Sequence, residues 1–450
     1  MDVKRVLTIA GSDSGGGAGI QADLKTITAL GGFGMSVVTA LTAQNTLGVH
    51  GIHEVPIEFI EKQFDAVAGD IGIDAAKTGM LASSDIIGAV ARKIEQYGVE
   101  KLVVDPVMVA KGGAMLIREE AKKTLVELLL PRAFVITPNV PEAEELSGIT
   151  IETVGDMKKA AEIIGDMGAK HVFVKGGHMT GDALDILYDG REFHEFAAER
   201  IDTKDTHGTG CTISSAIATG LAREMTVYDA VKNAKEYITT AIRFSLRIGA
   251  GHGPTNHCAA LFRESERYRC LQELKAAVQR LKEGNCGNII PEIQSNFACA
   301  LPHATGPGDV AAIPGRIVKV GEKAETLHDP AFDVSRHVAK IVLTVMRYDD
   351  SFRSAMDIRF SEELVELCRD RGYDVAEFSR ADEPAEIKLR EGSSLEWGTN
   401  HVLSQRDSVP DMIFDRGDVG KEPVIRILGK TPDEVAGKVL ALSAGLKTGA

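Results

Sequence analysis

The sequence lacks three features that would mark a membrane, an extracellular or a nucleic-acid-binding protein. No run of about 18 apolar residues occurs, so no membrane-spanning helix is expected. The six cysteines form no Cys-x-x-Cys pair, which gives no zinc signature and favours free thiols in a reducing cytoplasm. The net charge of −14 argues against a general basic surface for nucleic acid. We therefore expect a cytoplasmic protein with no nucleic-acid or membrane partner.

The chain is long for one hydrophobic core. At 450 residues, two domains or more are expected. The first residues lead directly into an apolar, strand-like segment at 6–10, so no signal peptide is expected. A glycine-rich segment at 249–256 marks a boundary, beyond which the pattern changes. We also expect a homo-oligomer, whose size the sequence does not fix.

The first half alternates between apolar strands and amphipathic helices. This alternation predicts a mostly parallel sheet with helices on both faces, and ligands gather at the carboxyl edge of such sheets. Polar residues follow several strands: Asp105, then Asn139 with Glu142, then Lys175. Oxygen ligands for Mg²⁺ and a lysine for phosphates are what phosphoryl transfer needs. Each residue alone is more often a cap or a surface turn, but together they favour a phosphoryl-transfer site.

A glycine-rich stretch at 206–214 is the most distinctive motif of this half. Gly208 and Gly210 flank Thr209, Cys211 follows, and an apolar helix then begins. Glycines let the backbone turn its N–H groups inward, and a helix N-terminus favours an anion or a thiolate. The stretch predicts an anion site beside a reactive cysteine, and the alternative is a helix cap with a buried cysteine.

A second glycine-rich turn, at 11–19, lies between a strand and a helix. It lacks the Lys-Ser/Thr ending of a Walker loop and does not match the dinucleotide-binding pattern, so a small-molecule site closed by glycine backbone is favoured. Asp13 and Asp23 could orient polar groups of that molecule, and capping of the turn is the alternative for Asp13. Gln44 lies just beyond a predicted strand over 34–42 and could present its amide to a heterocycle.

Seven blocks of the first half resemble, in family order, the hydroxymethylpyrimidine and phosphomethylpyrimidine kinases of thiamine biosynthesis, which belong to the ribokinase-like superfamily. The resemblance covers about residues 1–258 and implies a ribokinase-like, mostly parallel sheet. It also implies two ATP-dependent phosphorylations of one pyrimidine, first to the monophosphate and then to the diphosphate, with Mg²⁺. The blocks are residues 11–19, 43–46, 77–80, 105–107, 137–142, 174–178 and 206–212.

The same resemblance implies roles for individual residues. The base is aspartate in many ribokinase relatives and cysteine in this subfamily, and Cys211 fits the cysteine variant. The amides of residues 208–210 would stabilise the charge on the transferring phosphoryl group. The implied pyrimidine-binding residues are Gln44, Gly11, Asp23 and Met80, and the implied Mg·ATP residues are Asn139, Glu142 (an indirect magnesium contact) and Lys175, with Asp105 near the phosphates.

The second half predicts another α/β domain. A long amphipathic helix near 261–283 precedes further strands and helices, which indicates a three-layer sandwich over residues 265–450. Blocks at 298–302, 306–316, 356–360, 396–398, 410–417 and 420–423 resemble the alternative thiamine-phosphate synthase domain found fused to these kinases. The resemblance implies condensation of the pyrimidine diphosphate with a thiazole phosphate. It also implies an essential arginine and an essential histidine, best matched by Arg380 and His401.

Three other hypotheses stay open from the sequence. The second domain could be a non-catalytic sensor of thiamine phosphates, although no helix-turn-helix is apparent and the net charge is acidic. The first domain could be a pyridoxal-type kinase, since that chemistry uses the same fold and a similar ring. The second half could also be a purely structural fusion partner, which would bind no thiamine intermediate.

Overall fold

The structure is a computed structural model that describes residues 3–108, 119–177, 183–384, 387, 394–418 and 421–447. The chain divides into two compact units, Met1–Leu261 and Phe262–Ala450. All six cysteines are free thiols. Among the described helices, none is both long enough and apolar enough to cross a membrane.

The first unit alternates strands and helices along most of its length. Its strands are β1 (Arg5–Ala10), β2 (Phe33–Val38), β3 (Ala40–Asn45), β4 (Gly48–Glu54), β5 (Ala75–Thr78), β6 (Leu102–Val104), β7 (Val135–Ile136), β8 (Val172–Val174), β9 (Ala183–Tyr188) and β10 (Phe193–Ala198). Its helices are α1 (Gly19–Ala29), α2 (Ile57–Asp70), α3 (Ser84–Gln96), α4 (Glu119–Thr124), α5 (Val140–Ser147), α6 (Val154–Asp166), α7 (Thr209–Ala222) and α8 (Val227–Arg243).

An eight-stranded sheet forms the centre of this unit, in the order β10-β9-β8-β7-β6-β5-β1-β2. The strands from β8 to β2 in this order pair in parallel, whereas β9 and β10 are antiparallel. Neighbouring strand residues enter different cores, Val6 on one face and Leu7 on the other. Burial on both faces explains why strands such as β6 read as continuous apolar runs. The prediction of a mostly parallel sheet covered on both faces is confirmed.

The hairpin β3–β4 stands apart as a two-stranded sheet. The strand predicted over 34–42 is in fact divided between β2 and β3, so the expectation that Gln44 follows a strand is wrong. Gln44 lies within β3, next to an irregularity in the pairing between Ala43 and Gln44. No glycine or proline occurs between residues 35 and 47, so the sequence carries no marker for the break at Thr39.

The second unit contains a seven-stranded sheet in the order β15-β12-β11-β16-β19-β18-β17. Only β17 and β18 pair in parallel among the described strands of this sheet, and the other pairs are antiparallel. Its strands are β11 (Phe297–Ala300), β12 (Val310–Ala312), β13 (Ile317–Val320), β14 (Lys323–Thr326), β15 (Ala331–Phe332), β16 (Ser354–Arg359), β17 (Val375–Glu377), β18 (Met412–Asp415) and β19 (Val424–Gly429), with β13 and β14 in a separate pair. The helices are α9 (Ala259–Glu283), α10 (His337–Met346), α11 (Glu362–Asp370), α12 (Ser394–Leu403) and α13 (Pro432–Lys447).

Helices cover both faces of this second sheet. Residues of α9, α11 and α13 share a core with Met356 and Phe414, whereas residues of α10 and α12 share a different core with Ala355 and Ile413. Because successive strand residues point to opposite faces, each strand contributes to both cores. The second unit is therefore an α/β domain with three layers.

We expect burial to decide the cost of removing a leucine from the second unit. Leu364→Ala, at a fully buried position of α11, should lower the free energy of unfolding by about 2–5 kcal/mol. Leu327→Ala, at a position that is 77% exposed, should change it by less than about 0.5 kcal/mol. Urea unfolding of the full chain, followed by fluorescence of its single tryptophan, Trp397, measures both. Equal shifts in the two variants would contradict the assignment of this core.

Candidate active site

The N-terminus of α7 lies against the glycine-rich turn that precedes α1. Gly208 caps α7 at φ +80°, and a Cβ atom there would lie 1.8 Å from the carbonyl oxygen of Gly17. Only glycine fits such an approach, since an L-residue is strained at this φ and its Cβ would overlap the backbone. The two glycine-rich segments of the sequence therefore meet backbone to backbone, beside a helix end whose first N–H groups have no intrahelical partner.

A cavity of about 1030 Å³ is lined by residues that follow the strands of the first unit. Its size accommodates a small substrate together with a nucleotide. Carboxyl ends of parallel strands, the turn at 11–19 and the first turn of α7 all contribute to its wall. The predicted site residues that line it are Gly11, Gln44, Met80, Asp105, Asn139, Glu142, Lys175, Gly208, Thr209, Gly210 and Cys211. Two residues of the quoted motifs, His178 and Gly420, lie outside the described residues.

Asp23 lies behind the cavity wall and is fully buried. Its carboxylate accepts hydrogen bonds from Thr8 Oγ1 at 2.6 Å and Ser215 Oγ at 2.7 Å, and Lys77 Nζ lies 3.0 Å from both of its oxygens. In place of the pyrimidine contact implied by the resemblance, Asp23 supports Lys77, which does line the cavity.

Lys77 is a site residue that the sequence reasoning missed. Burial would lower the pKa of this lysine, but the carboxylates of Asp23 and Asp105 hold the pKa above its ordinary value. The side chain therefore stays charged although it is fully buried. The available signal was a lysine inside β5, a strand in the interior of the sheet that begins with two alanines.

Asp105 and Lys175 form an ion pair at the ends of β6 and β8. Lys175 Nζ lies 2.9 Å from Asp105 Oδ1, and Thr137 Oγ1 donates to the same oxygen at 3.0 Å. Burial would raise the pKa of Asp105, but Lys175 and Lys77 keep that pKa below its ordinary value. A Cβ atom on Gly210 would lie 3.4 Å from Lys175 Nζ, so this cation lies directly beside the first turn of α7.

Asn139 and Glu142 form a reciprocal capping box at the start of α5. Asn139 Oδ1 accepts from the backbone N–H of Glu142 at 2.9 Å, and Glu142 Oε2 accepts from the backbone N–H of Asn139 at 2.9 Å. The capping interpretation is therefore correct for both residues, and they line the cavity as well. Burial raises the pKa of Glu142 to about 7, although Lys175 opposes the rise.

Cys211 differs from the expectation of a thiolate. It lies in the first turn of α7, as predicted, but burial raises the pKa of its thiol to about 11. Lys77 favours the thiolate, whereas the carboxylates of Asp23 and Asp105 disfavour it. Desolvation raises the pKa of the thiol more than the helix N-terminus lowers it, so the sulfur carries its proton near neutral pH.

Asp13 caps the glycine-rich turn. Its carboxylate accepts hydrogen bonds from the backbone N–H groups of Gly15 at 2.8 Å, Gly17 at 3.0 Å and Ala18 at 2.7 Å. The capping alternative from the sequence is thus confirmed, and the turn is held rigid by one buried side chain.

A cluster of charged residues is buried in the second unit. Asp415, at the end of β18, lies 2.5 Å from Arg380 Nε and 2.7 Å from Arg426 Nη2. Within the described part of the chain, Nε and Nη1 of Arg426 have no hydrogen-bond partner, although this residue is only 1% exposed. Asp357 lies opposite Arg426 in the β16–β19 register, and burial raises the pKa of Asp357 to about 6. Arg380, which the resemblance implies as the essential arginine, thus shares this group with Asp415 and with Arg426, a further candidate from the sequence.

His401 lies on α12, where it stacks on Trp397 with ring centroids 5.1 Å apart. Its Nε2 lies 3.2 Å from the side-chain nitrogen of Gln405. Trp397 in turn contacts Phe378, which underlies the guanidinium of Arg426. The structure brings His401 to this aromatic cluster, and no hydrogen bond joins it to Arg380 among the described residues.

The first unit has the architecture of a small-molecule kinase: a mostly parallel sheet, a cavity at its carboxyl edge, buried lysines and a glycine-capped helix end. Comparison with known families agrees. The phosphomethylpyrimidine kinase model matches residues 13–256, and the model of the thiamine-phosphate synthase ThiN matches residues 273–441. The chain belongs to the phosphomethylpyrimidine kinase family, and a thiamine-phosphate synthase domain follows the kinase domain in the sequence. It is a bifunctional enzyme of thiamine biosynthesis, as the sequence predicted.

Individual relatives support the kinase assignment. The hydroxymethylpyrimidine/phosphomethylpyrimidine kinase of Bacillus subtilis is 54% identical over 261 residues, which cover 58% of this chain and 96% of that protein. The thiamine biosynthesis bifunctional protein ThiED of Geobacter sulfurreducens is 56% identical over 256 residues, but the match covers 57% of this chain and 52% of that protein. A solved structure of Bacillus subtilis pyridoxal kinase in an ADP complex has a TM-score of 0.55 at 42% identity, covering 58% of this chain and 99% of that one.

We expect Gly208→Ala to abolish most of the kinase activity. The new methyl group would overlap the carbonyl oxygen of Gly17, so the start of α7 must move away from the glycine-rich turn. Displacing N–H donors that stabilise transferring charge costs about 100-fold or more in rate. Phosphorylation rates measured alongside circular dichroism test this. The matched control is Gly69→Ala in α2, where a Cβ would meet nothing within 4 Å, and a parental rate in Gly208→Ala would contradict the anion-site geometry.

Proposed function

We propose that the first unit, as a kinase domain over residues 1–258, holds the hydroxymethylpyrimidine between Gln44, Gly11 and Met80. The fit of Gly11 to Met80 supports this, since a Cβ on Gly11 would lie 2.6 Å from Met80 Cε. Gln44 is fixed to the glycine-rich turn: its backbone N–H donates to Ser14 Oγ at 2.8 Å, and Ser14 Oγ donates to its carbonyl at 2.8 Å. A side-chain amide on a fixed backbone, near the methionine Met80, suits a planar, hydrogen-bonding ring.

ATP is proposed to lie with its phosphates between Lys175, Lys77 and the N-terminus of α7. The buried ammonium group of Lys77, the mostly buried one of Lys175 and a helix N-terminus supply positive potential at one end of the cavity. Asp105 and Asp23 balance the two lysines when no phosphate is bound. The phosphoryl group would pass from ATP to the substrate hydroxyl at this end, as the P–O bond to ADP breaks.

Magnesium fits the acidic side chains of this site only as a partner of the phosphates. The described residues contain no group of three or more His, Cys, Asp or Glu that could hold a metal ion by themselves. Mg²⁺ commonly uses one or two carboxylates and takes its other ligands from phosphates and water. Glu142 and Asp105 supply two carboxylates beside Asn139, which supports the indirect contact proposed for Glu142. When bound, the ion would neutralise charge on the phosphates.

Cys211 is proposed as the base for the hydroxymethyl group. A thiolate at this position would take the hydroxyl proton as the new O–P bond forms, and the thiol would then release it. Because the thiol pKa is about 11, the thiolate is a minor species near pH 7. The proposal thus makes the rate depend on the thiolate fraction.

We expect the first phosphorylation to accelerate with pH. Below a pKa of about 11 the thiolate fraction rises about tenfold for each pH unit, so kcat/KM should rise with that slope between about pH 7 and 10. Cys211→Asp should flatten the profile, because a carboxylate is ionised throughout this range. Cys211→Ala should slow phosphorylation sharply at every pH while ADP binding, measured by calorimetry, stays nearly intact. A flat profile in the parent enzyme would remove Cys211 as the base.

In the second unit, proposed as the synthase domain over residues 265–450, the Arg380–Asp415–Arg426 cluster is assigned to the phosphorylated substrates. The thiazole nitrogen would attack the pyrimidine methylene carbon, and the C–O bond to the diphosphate would break with its electron pair leaving on oxygen. Guanidinium groups are suited to that departing charge, and the unmatched donors of Arg426 support an anion nearby. A catalytic role for His401 remains a sequence-based prediction.

The full chain should make thiamine phosphate from ATP, Mg²⁺, hydroxymethylpyrimidine and thiazole phosphate in one vessel. Arg380→Lys should let the pyrimidine diphosphate accumulate and slow the condensation at least about tenfold, because lysine cannot replace the planar fork on Asp415. Arg406→Lys, at an exposed ion pair with Asp374, is the matched control. Binding of thiazole phosphate without product in the parent chain would favour the sensor hypothesis.

A pyridoxal kinase is a second candidate for the first unit. It is favoured by the likeness to a solved pyridoxal kinase of Staphylococcus aureus bound to AMP-PCP and pyridoxal, with a TM-score of 0.54 at 37% identity over 58% of this chain and 95% of that one. Rates on the pyrimidine and on pyridoxal, measured side by side, separate the two activities.

A further inference from the structure

Two side chains that line the kinase cavity, those of Asp13 and Gln44, both approach one atom of a third, Nε2 of His207. Asp13 Oδ2 lies 3.0 Å from this nitrogen, and the side-chain nitrogen of Gln44 lies 3.2 Å from it. His207 immediately precedes the glycine cap of α7, and Gln44 belongs to the hairpin β3–β4. The contact therefore joins the phosphoryl-transfer end of the cavity to the proposed pyrimidine-binding amide.

The proton in this group belongs to the imidazole. Asp13 is already the acceptor for three backbone N–H groups. Burial would raise the pKa of Asp13, but the hydrogen bonds from His207 and Ala18 hold that pKa below its ordinary value. An ionised carboxylate can only accept hydrogen bonds, so Nε2 of His207 must be the donor.

This assignment decides which way the Gln44 amide points. Two donors cannot share one contact, so the amide atom that faces the Nε2–H group must be the oxygen. The single hydrogen on Nε2 is then shared between Asp13 Oδ2 and this amide oxygen in a three-centre hydrogen bond. The amide nitrogen then takes the other place, 3.4 Å from Thr42 Oγ1. Thr42 Oγ1 donates its own proton to the carbonyl of Ser12 at 2.9 Å, so it is free to accept. Each contact in the chain from Asp13 to Ser12 then pairs a donor with an acceptor.

We propose that His207 is a positioning residue that fixes the Gln44 amide and thereby selects the heterocycle the kinase accepts. The proposal rests on the pyrimidine contact of Gln44 described above. With its oxygen held by His207 and one N–H held by Thr42, the amide has one N–H and one oxygen lone pair left. This donor–acceptor pair matches a ring nitrogen adjacent to an exocyclic amino group, which is the edge of an aminopyrimidine. A ring without that pair gains nothing from the fixed orientation.

Two His207 variants separate positioning from general packing. His207→Leu removes the donor and should raise the KM for hydroxymethylpyrimidine about tenfold, with kcat and the KM for ATP within about twofold of the parent. His207→Gln keeps a donor near the same place and should restore most of the affinity. The preference for the pyrimidine over pyridoxal, as a ratio of kcat/KM values, should fall about tenfold in His207→Leu. His252→Leu, at an exposed histidine, is the matched control and should leave all constants unchanged.

A double-mutant cycle with Gln44→Ala is the deciding measurement. If His207 acts through Gln44, His207→Leu should add almost nothing to the KM of a Gln44→Ala enzyme. Equal effects in both backgrounds, or equal losses in His207→Leu and His207→Gln, would overturn the proposal. Calorimetric binding of hydroxymethylpyrimidine without ATP gives the same cycle independently of turnover. An unchanged KM in Gln44→Ala alone would overturn the pyrimidine contact itself, whereas additive effects overturn only the role of His207.

Discussion

The approach of Gly208 to the carbonyl of Gly17 is the constraint on which the kinase site depends. It brings the end of one βα turn against the start of α7, and no side chain can stand between them. The backbone contact fixes the first turn of α7, which lies beside Lys175, and Asp13 fixes the turn that α7 meets. A site assembled from backbone needs little reorganisation when charge develops during the reaction, which is where electrostatic catalysis gains most.

Buried pairs of charged side chains are the second feature on which the kinase site depends. The two lysines proposed to bind the phosphates each have a carboxylate, Asp23 for Lys77 and Asp105 for Lys175, so neither of these cations is left uncompensated in the free enzyme. Burial of a lone charge would be costly, and breaking either pair would leave one. Burial keeps the Cys211 thiol protonated by raising its pKa, and the two carboxylates that stabilise the lysines also disfavour the thiolate. The carboxylates that compensate the charge of the two lysines therefore make the proposed base, the thiolate of Cys211, harder to form.

Sequence reasoning found residues that line the cavity where those residues follow strands or lie in glycine-rich turns. Asp105, Asn139, Glu142, Lys175 and the 206–214 stretch could be found because polar residues after apolar strands share one edge of a parallel sheet. Other features depend on burial or on distant partners that no local pattern reveals. Lys77 lies inside a strand, where no turn or strand end marks it as a site residue. Asp23 lies behind the cavity wall, and the sequence does not show whether its side chain enters the cavity. The hairpin that carries Gln44 starts without glycine or proline, so its break from β2 had no local signal.

The second unit shows the same limit more sharply. Arg380, Asp415 and Arg426 are separated by 35 and 11 residues, and only the order of strands β17, β18 and β19 brings them together. A motif could suggest Arg380, but it could not show that one carboxylate is shared between two guanidinium groups. That sharing leaves Arg426 with donors that the described residues do not satisfy. A buried donor without an acceptor costs about 1–3 kcal/mol, so an anionic substrate that supplies the acceptor would recover that cost on binding.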